Sequence, residues 1–358
     1  MQQLLGQNTS QLEATLKTLG EPAFRGRQIA SWIYKKGAAD FSAMTDLSQK
    51  LRERLAAECT LDFPAVATRW NSNDGSTKLL LEMNDGERIE TVRLPYPERM
   101  SVCVSSQAGC AMACAFCATG LGGFRRNLSV AEIIAQPLLA MREGQTINGA
   151  PLQAPTHIVF MGMGEPLLNM GNVLPAIHLM HDEIGIPQRH ITVSTVGIIN
   201  GIHRLAEEKL QVTLAVSLHA PEDELRHRLI PTSTKTRVLD IVNAAKEYHR
   251  ATGRRVTFEY VLLGGVNDSA ALAKRLASLC RGWPCHVNII PWNAVPDAKF
   301  ESAAFNAPSA TAAREFKATL ENAGVAVTQR VQRGADVAAA CGQLRAFDRK
   351  PEIELVAG

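Results

Sequence analysis

The sequence predicts an α/β fold built around a parallel sheet. Between residues 101 and 290, six short runs rich in β-branched residues alternate with helix-like segments. A strand, a helix and a further strand form a right-handed unit that lays the two strands parallel. The composition, 46% hydrophobic and 20% charged over 358 residues, is that of an ordinary globular chain. A doubly wound sheet and a full or partial barrel both fit this pattern.

The amino-terminal part of the chain is predicted to be helical. Apolar residues recur at helical spacing over residues 11–19 and again over residues 24–34. Two strands follow, residues 78–82 and 88–94, around the turn Asn84-Asp85-Gly86, which is a strong hairpin signal. We expect this hairpin to form a bridge between domains.

The alternating block accounts for most of the remaining chain. Its predicted strands are residues 101–105, 158–161, 191–195, 212–218, 256–262 and 287–290. Its predicted helices are residues 129–142, 173–183, 202–208, 238–249 and 270–280. A final strand, residues 325–331, precedes a short tail.

Composition and charge exclude several classes of protein. No apolar run approaches the roughly 18 residues that a membrane-spanning helix needs, and the first residues lack the regions of a signal peptide. We therefore expect a cytoplasmic protein without a membrane partner. Eight cysteines are too few for a disulfide scaffold in a chain this long, and a net charge of +3 indicates no particular partner.

Three cysteines form a closely spaced motif. Cys110, Cys114 and Cys117 have the pattern C-x3-C-x2-C, directly after the predicted strand 101–105. Three thiolates this close can converge on zinc or on an iron–sulfur cluster, but structural zinc wants four ligands, and no Cys or His follows within the usual distance. On a four-iron cluster, three cysteines leave one iron open for a substrate or cofactor. The motif lies at the carboxyl edge of the sheet, where barrel enzymes place their active sites.

This motif, with the aromatic Phe116 before its last cysteine, resembles that of the radical S-adenosylmethionine (SAM) superfamily. Other stretches narrow the resemblance, over nearly the whole chain, to the RlmN-type RNA methyltransferases and their relative Cfr. These stretches are residues 103–110, 161–169, 217–221 and 340–344, joined by residues 24–29, 32–34 and 44–48, which resemble RlmN rather than Cfr.

The resemblance implies a fold and a domain organisation. The fold is the radical SAM partial (β/α)6 barrel with a small N-terminal helical accessory domain. On this basis we expect an RNA-binding accessory domain at residues 1–75 and the hairpin bridge at 76–97. The barrel would occupy residues 98–340, and a tail beginning with Cys341 would occupy residues 341–358.

The resemblance also implies the cofactors. Cys110, Cys114 and Cys117 would bind a [4Fe-4S] cluster whose open iron holds SAM, and one electron would cleave SAM to a 5′-deoxyadenosyl radical. Two SAM molecules would be used per turnover. The family's SAM contacts fall at or just beyond the carboxyl ends of the predicted strands, on Gly164, Glu165, Ser194, Ser217, Leu218, His219 and Asn293.

Three further residues would carry the methyl transfer. Carbon 2 of adenine has no nucleophilic lone pair, so the family uses radical chemistry there. Cys341 would take a methyl group from one SAM, and after hydrogen abstraction that carbon would add to the adenine, joining RNA to protein. Glu90 would accept the proton from the adduct. Cys103 would then attack the sulfur of Cys341, release the product and leave a Cys103–Cys341 disulfide.

The implied partners are RNA and a reductant. The substrates would be an adenosine in the peptidyl-transferase region of 23S ribosomal RNA and one in the anticodon loop of tRNAs. The reductant would be a protein such as flavodoxin with its reductase, and the enzyme is expected to be a monomer. Candidate RNA contacts combine basic and aromatic side chains; they are Arg25, Arg27, Lys35, Lys36 and residues 122–126.

Departures from the family pattern leave alternatives open. Residues 194–199 are closer to Cfr, and Ala335 and Ala339 replace acidic residues that often precede the last cysteine. One alternative is a Cfr-like enzyme acting on carbon 8, or a divergent paralogue with another RNA target. A second is a non-catalytic iron–sulfur protein that binds RNA or senses redox state.

Overall fold

The computed structural model describes residues 1–143 and 154–346. The strands in chain order are β1 (Gln2–Gln3), β2 (Cys59–Thr60), β3 (Ala65–Asn71), β4 (Thr77–Glu82), β5 (Arg88–Tyr96), β6 (Arg99–Cys103), β7 (Gln107–Gly109), β8 (Phe124–Asn127), β9 (His157–Phe160), β10 (Ile191–Thr195), β11 (Thr213–Ser217), β12 (Val256–Leu262), β13 (Cys285–Pro291), β14 (Lys299–Phe300), β15 (Ala303–Ala304) and β16 (Ala326–Gln329).

The α-helices are α1 (Thr9–Thr18), α2 (Phe24–Ala30), α3 (Gln49–Glu58), α4 (Ala118–Leu121), α5 (Val130–Glu143), α6 (Met170–Leu179), α7 (Ile199–Glu207), α8 (Asp223–Leu229), α9 (Val238–Thr252), α10 (Ala270–Cys280) and α11 (Ala310–Asn322). Single π turns extend α2 and α6, at Ser31–Lys35 and Met180–Ile184. None of the helices in the described ranges is long and apolar enough to cross a membrane.

One large sheet places the strands in the order β16-β13-β12-β11-β10-β9-β6-β5-β4-β3. In this sheet β6, β9, β10, β11, β12, β13 and β16 are mutually parallel, and β5, β4 and β3 continue it in antiparallel pairing. Parallel neighbours in chain order, each joined to the next through a helix, are the arrangement of a barrel, and the two free edges leave it open. The predicted partial barrel is therefore confirmed.

The sheet is the centre of the hydrophobic core. Val193, Leu214, Phe258 and Val287 lie on four adjacent parallel strands and are all completely buried. Parallel strands are covered by helices on one face and by the barrel interior on the other. Because both faces are buried, their sequences are nearly continuous runs of β-branched and aromatic residues. This is why alternation alone located them: β10, β12 and α10 begin and end at the predicted residues, and most other parallel strands agree within two residues.

Strand β3 and helix α11 were not predicted. Strand β3 is an edge strand that buries only Trp70, so it lacks the apolar run of an interior strand. Helix α11 did carry a signal: Ser309 caps it by accepting the Ala312 N–H at 3.0 Å, and Ala313, Phe316 and Leu320 are buried at helical spacing.

The amino-terminal helices pack on the barrel. Asn8 and Gln11 form a capping box at the start of α1. Helices α1 and α2 touch so closely that a side-chain carbon at Gly26 would lie 2.5 Å from the Glu13 nitrogen. Thr9 donates its N–H and its hydroxyl to the Glu183 carboxylate at 2.7 and 2.8 Å. This region is therefore held by both apolar packing and hydrogen bonds.

Candidate active site

The three motif cysteines lie on the loop between β7 and α4. The loop begins at Gly109, whose φ is +73° and where an added side-chain carbon would lie 1.9 Å from the Gly123 carbonyl oxygen. Glycine is required there, because no side chain fits. The Cys110 N–H donates to that same carbonyl at 2.8 Å, which closes the loop at its base.

Distant parts of the chain hold the loop in shape. The Ala115 N–H donates to the Leu229 carbonyl at 3.0 Å, and the Trp292 indole donates to the Phe116 carbonyl at 3.2 Å. The Phe116 ring also meets the His219 ring edge-on, with centroids 4.8 Å apart. The positions of the cysteines therefore depend on segments that follow β11 and β13.

An open cavity with about 920 Å³ of empty space lies beside this loop. All three motif cysteines and Cys341 line it. Most of the predicted SAM contacts line it too, namely Gly164, Glu165, Ser194, Ser217, His219 and Asn293. Leu218, also predicted, does not line this cavity and is completely buried.

The donor set fits an iron–sulfur cluster better than a single ion. Within residues 1–143 and 154–346, no three Cys, His, Asp or Glu side chains converge closely enough to hold one metal ion. A four-iron cluster offers a separate iron to each thiol, so its ligands surround a volume, as these three cysteines do around the cavity. Burial raises the pKa of Cys110 to about 12 and also raises those of Cys114 and Cys117.

Arg226 supplies a buried positive charge next to this site. Its side chain is completely buried, donates to the Leu218 carbonyl at 3.1 Å and to the Val196 carbonyl, and leaves its Nη1 without a partner among the described residues. Burial lowers its pKa to about 10, and nearby Cys114 opposes that shift. An unpartnered buried guanidinium nitrogen beside Cys114 suits a site whose occupant is anionic.

Replacing Arg226 by methionine is expected to lower the free energy of unfolding by about 3 kcal/mol, because it removes the guanidinium donor of the Val196 carbonyl and one of the two donors of the Leu218 carbonyl. Urea denaturation of the protein as purified would measure the change. Arg314→Met on the exposed face of α11 is the control and should change stability by less than about 0.5 kcal/mol. An equal effect of both substitutions would contradict the structural role of Arg226.

Glu165 and His219 are the two buried titratable groups among the predicted SAM contacts. The Glu165 carboxylate accepts the N–H groups of Leu167 at 3.0 Å and Val196 at 2.8 Å, and burial raises its pKa to about 7. A bound ammonium group would favour its ionised form. His219 accepts the Val261 N–H at its Nδ1, and burial lowers its pKa to about 3, so it is neutral.

A second cavity, with about 590 Å³ of empty space, adjoins the first and is lined by both Cys103 and Cys341. Cys103 ends strand β6, where it is buried; burial, reinforced by Cys341, raises its pKa to about 12. Asn293 holds the Cys341 backbone by donating to its carbonyl at 2.8 Å. The predicted pair of thiols is thus on one wall, next to the predicted cluster site.

Arg330 is a residue that the sequence reasoning missed. It follows β16 and lines both cavities. Cys341, Glu259 and Cys103 all raise its pKa above the ordinary value, with Cys341 contributing most. The Arg330 guanidinium opposes the rise in the Cys103 pKa that burial causes. The available signal was its position just past the last parallel strand, where the other site residues also lie.

Glu90 lies apart from both cavities. It is 1% exposed, pairs with the Lys78 ammonium at 2.9 Å and accepts the Arg345 N–H at 2.9 Å. Strand β5 therefore brings Glu90 to the tail that carries Cys341, and its carboxylate oxygens are already engaged there. Residues 347–358 of the predicted tail lie outside the described residues.

Comparisons with known proteins agree with this geometry. The family model of the ribosomal RNA large subunit methyltransferase N-terminal domain matches residues 2–61, and that of the radical SAM superfamily matches residues 104–276. A probable dual-specificity RNA methyltransferase RlmN from Thermosynechococcus vestitus is 46% identical over 342 residues, which are 96% of this chain and 98% of that relative.

Further relatives show the same correspondence over more than nine tenths of each chain. The protein of the same name from Trichormus variabilis is 43% identical and covers 96% of this chain and 93% of its own. Among solved structures, a radical SAM methyltransferase from Sphaerobacter thermophilus has a TM-score of 0.91 and 43% identity, covering 97% of this chain and 100% of that one. This superfamily uses SAM with a [4Fe-4S] cluster, so the fold, the cysteine loop and these relatives lead to one conclusion: the chain is a radical SAM methyltransferase and belongs to the RlmN family.

Proposed function

We propose that this enzyme methylates carbon 2 of adenosine in 23S ribosomal RNA and in tRNA, with Cys341 as the methyl carrier. The observation that carries the proposal is the position of Cys341, which lines both the cavity of the cysteine triplet and the cavity of Cys103. The relatives named as dual-specificity RNA methyltransferases support the substrate class. When bound, the cluster and SAM supply the methyl group and the radical chemistry that carbon 2 requires.

Different residues around the cavities would bind the cluster and SAM. Cys110, Cys114 and Cys117 would hold the cluster, and Arg226 would offset its negative charge. Gly164, Glu165, Ser194, Ser217, His219 and Asn293, which line the cavity, would form the SAM site together with Leu218, and the Glu165 carboxylate would accept hydrogen bonds from the amino group of SAM. Neutral His219 contributes shape rather than charge, since its pKa is about 3.

The thiols and Glu90 complete the transfer. The Cys341 sulfur would accept a methyl group from one SAM, and the radical chemistry that a second SAM and the cluster supply would remove one hydrogen atom from that methyl group. Its carbon would then bond to carbon 2 of the adenine, the adduct would return one electron to the cluster, and Glu90 would remove the proton from carbon 2. The Cys103 thiolate would attack the Cys341 sulfur and break the bond from that sulfur to the transferred carbon; the carbon would keep the electron pair and take up a proton to become the methyl group, and the two sulfurs would form a disulfide. Each Glu90 oxygen makes one contact, to Lys78 or to the Arg345 N–H, and keeps a lone pair that can take up the proton.

RNA is held by exposed aromatic and basic side chains near the cluster loop and on α2. Phe124 is 45% exposed and Arg125 is exposed beside it, which suits stacking and phosphate contact. Arg126 has a structural role instead, because Asp85 and Glu132 both bind it. On α2, the Arg25 guanidinium covers the exposed Phe24 ring at 4.8 Å, while Arg27 is paired with Glu13.

The chain has four parts with separate roles. Residues 1–75 form the accessory RNA-binding domain, 76–97 the hairpin bridge, 98–340 the barrel and 341–358 the tail. Strands β4 and β5 of the bridge continue the barrel sheet, which supports a fixed geometry between the bridge and the site. The enzyme acts as a cytoplasmic monomer and receives electrons from a reductant such as flavodoxin with its reductase.

Mass spectrometry of nucleosides from ribosomal RNA and tRNA tests the function. Cells with the gene should contain 2-methyladenosine in both RNA classes, and cells in which the gene is deleted should lack it. Return of the nucleoside on expression of the wild-type chain, but not of a Cys114→Ala variant, would tie it to this site. Unchanged 2-methyladenosine after deletion would overturn the proposal, and 8-methyladenosine would assign the Cfr-like reaction instead.

A further inference from the structure

The loop that carries Cys341 is hydrogen-bonded at both ends to side chains of strands β4 and β5. Lys78, on β4, donates to the Ala338 carbonyl at 3.2 Å and to Glu90 at 2.9 Å. The other oxygen of Glu90 accepts the Arg345 N–H at 2.9 Å. A single buried ion pair therefore contacts the chain three residues before Cys341 and four residues after it.

The ion pair is enclosed. Lys78 is 3% exposed and Glu90 is 1% exposed, and the Lys78 ammonium lies 4.5 Å from the centre of the Trp70 ring. A buried ion pair adds little net stability by itself, because both charges lose their hydration. A buried pair that also binds two backbone groups of one loop fixes the geometry of that loop instead.

The backbone at both ends of the loop is strained. Ala338 has φ of 50° and Ala346 has φ of 61°, the left-handed region that is unfavourable for residues with a side chain. Such conformations persist only where neighbouring contacts impose them. Lys78 supplies a contact of that kind at Ala338, and Glu90 supplies one at Arg345, directly before Ala346.

We propose that Lys78 is a positioning residue for the methyl carrier. Together with Glu90 it holds residues 338–345 in the strained conformation that places Cys341 between the two cavities. This inference rests on the proposed role of Cys341. Lys78 lines neither the cavity of the cysteine triplet nor the cavity of Cys103, so it acts through the loop.

The test distinguishes a local effect on residues 338–345 from a general loss of folding. Lys78→Met alone would leave the Glu90 carboxylate buried without a cation, so the informative variant is K78M/E90Q, in which methionine fills the lysine stem and glutamine still accepts the Arg345 N–H. Lys78→Arg keeps the charge and the donors. Glu82→Gln, on the same strand but in a surface pair with Arg88, is the matched control.

Hydrogen–deuterium exchange of the protein as purified gives the first readout. Amides of residues 338–346 should exchange at least tenfold faster in K78M/E90Q than in wild type, whereas amides of β10 should be unchanged. The Lys78→Arg and Glu82→Gln variants should stay close to wild type. If residues 338–346 exchange at the wild-type rate in K78M/E90Q while β10 stays equally protected, Lys78 and Glu90 do not hold this loop in place.

Methylation of Cys341 gives the second readout. After incubation of the reconstituted enzyme with SAM and a reductant, the methylated fraction of the Cys341 peptide should fall at least tenfold in K78M/E90Q and recover in Lys78→Arg, at equal iron content. Normal Cys341 methylation despite faster exchange would overturn the positioning role. Absence of RNA methylation by the wild type would count against the proposed function alone, because the exchange comparison does not depend on it.

Discussion

Replacing Cys341 by serine is expected to abolish RNA methylation, with a loss of at least about 10³-fold, the scale on which removal of a covalent nucleophile acts. Sulfur is the nucleophile that accepts the methyl group, and a serine hydroxyl is protonated and weakly nucleophilic at neutral pH. The substitution spares the contact from Asn293, which is made to the backbone carbonyl. The measurement is methyl transfer to an RNA transcript by the reconstituted enzyme, with the iron content determined in parallel.

A cysteine outside the site provides the control for this experiment. Cys285 begins strand β13, at the end of the strand opposite to Asn293 and the cavities. Cys285→Ala should therefore retain methyl transfer within a few-fold of wild type. Full transfer by Cys341→Ser with an intact cluster would show that the methyl group does not pass through this sulfur.

Replacing Cys103 by alanine is expected to stop the reaction after the RNA has been joined to the protein. Release of the product requires attack on the Cys341 sulfur, and Cys103 shares the wall of the second cavity with Cys341. Without that thiol, the adduct has no route to a disulfide. We expect at most about one RNA captured per enzyme, visible as a protein–RNA species on a denaturing gel and as an adduct on the Cys341 peptide.

The double variant Cys103→Ala with Cys341→Ser is the control for the protein–RNA species formed by Cys103→Ala alone. It should form no covalent species, because the carrier sulfur is missing. Multiple turnovers by Cys103→Ala in the presence of an added small thiol would still agree with the mechanism, since the thiol can replace Cys103. Multiple turnovers without any thiol would contradict the assigned role. Cys103 is buried, so the alanine variant is also expected to lose about 1 kcal/mol of stability.

The fold was predictable because its signals are local. The parallel strands are buried on both faces, so their β-branched runs appear in the sequence without knowledge of their neighbours. Strand β3 carried no such signal, since only Trp70 is buried in it. The hairpin turn Asn84-Asp85-Gly86 was also local, and the structure places β4 and β5 on either side of it as expected.

The candidate site was predictable only in part. The triplet Cys110, Cys114 and Cys117 is visible because its members are close in sequence. Cys103 and Cys341 are separated by most of the chain, and without the family resemblance each would read as an ordinary buried cysteine. Arg226 and Lys78 carried no signal, because a charged residue in a helix or strand is usually solvated.

The sequence alone therefore determined the alternation of strands and helices, the cysteine loop and the family, all of which rest on patterns within short windows or on matched motifs. Tertiary structure alone decided which charges are buried and what they bind. Arg226 faces Cys114 and the carbonyls after β10 and β11, and Lys78 with Glu90 fastens the Cys341 loop. The physical reason is that desolvation and hydrogen bonding depend on contacts that only the folded chain makes, several of them between residues more than two hundred positions apart, and no local pattern encodes them.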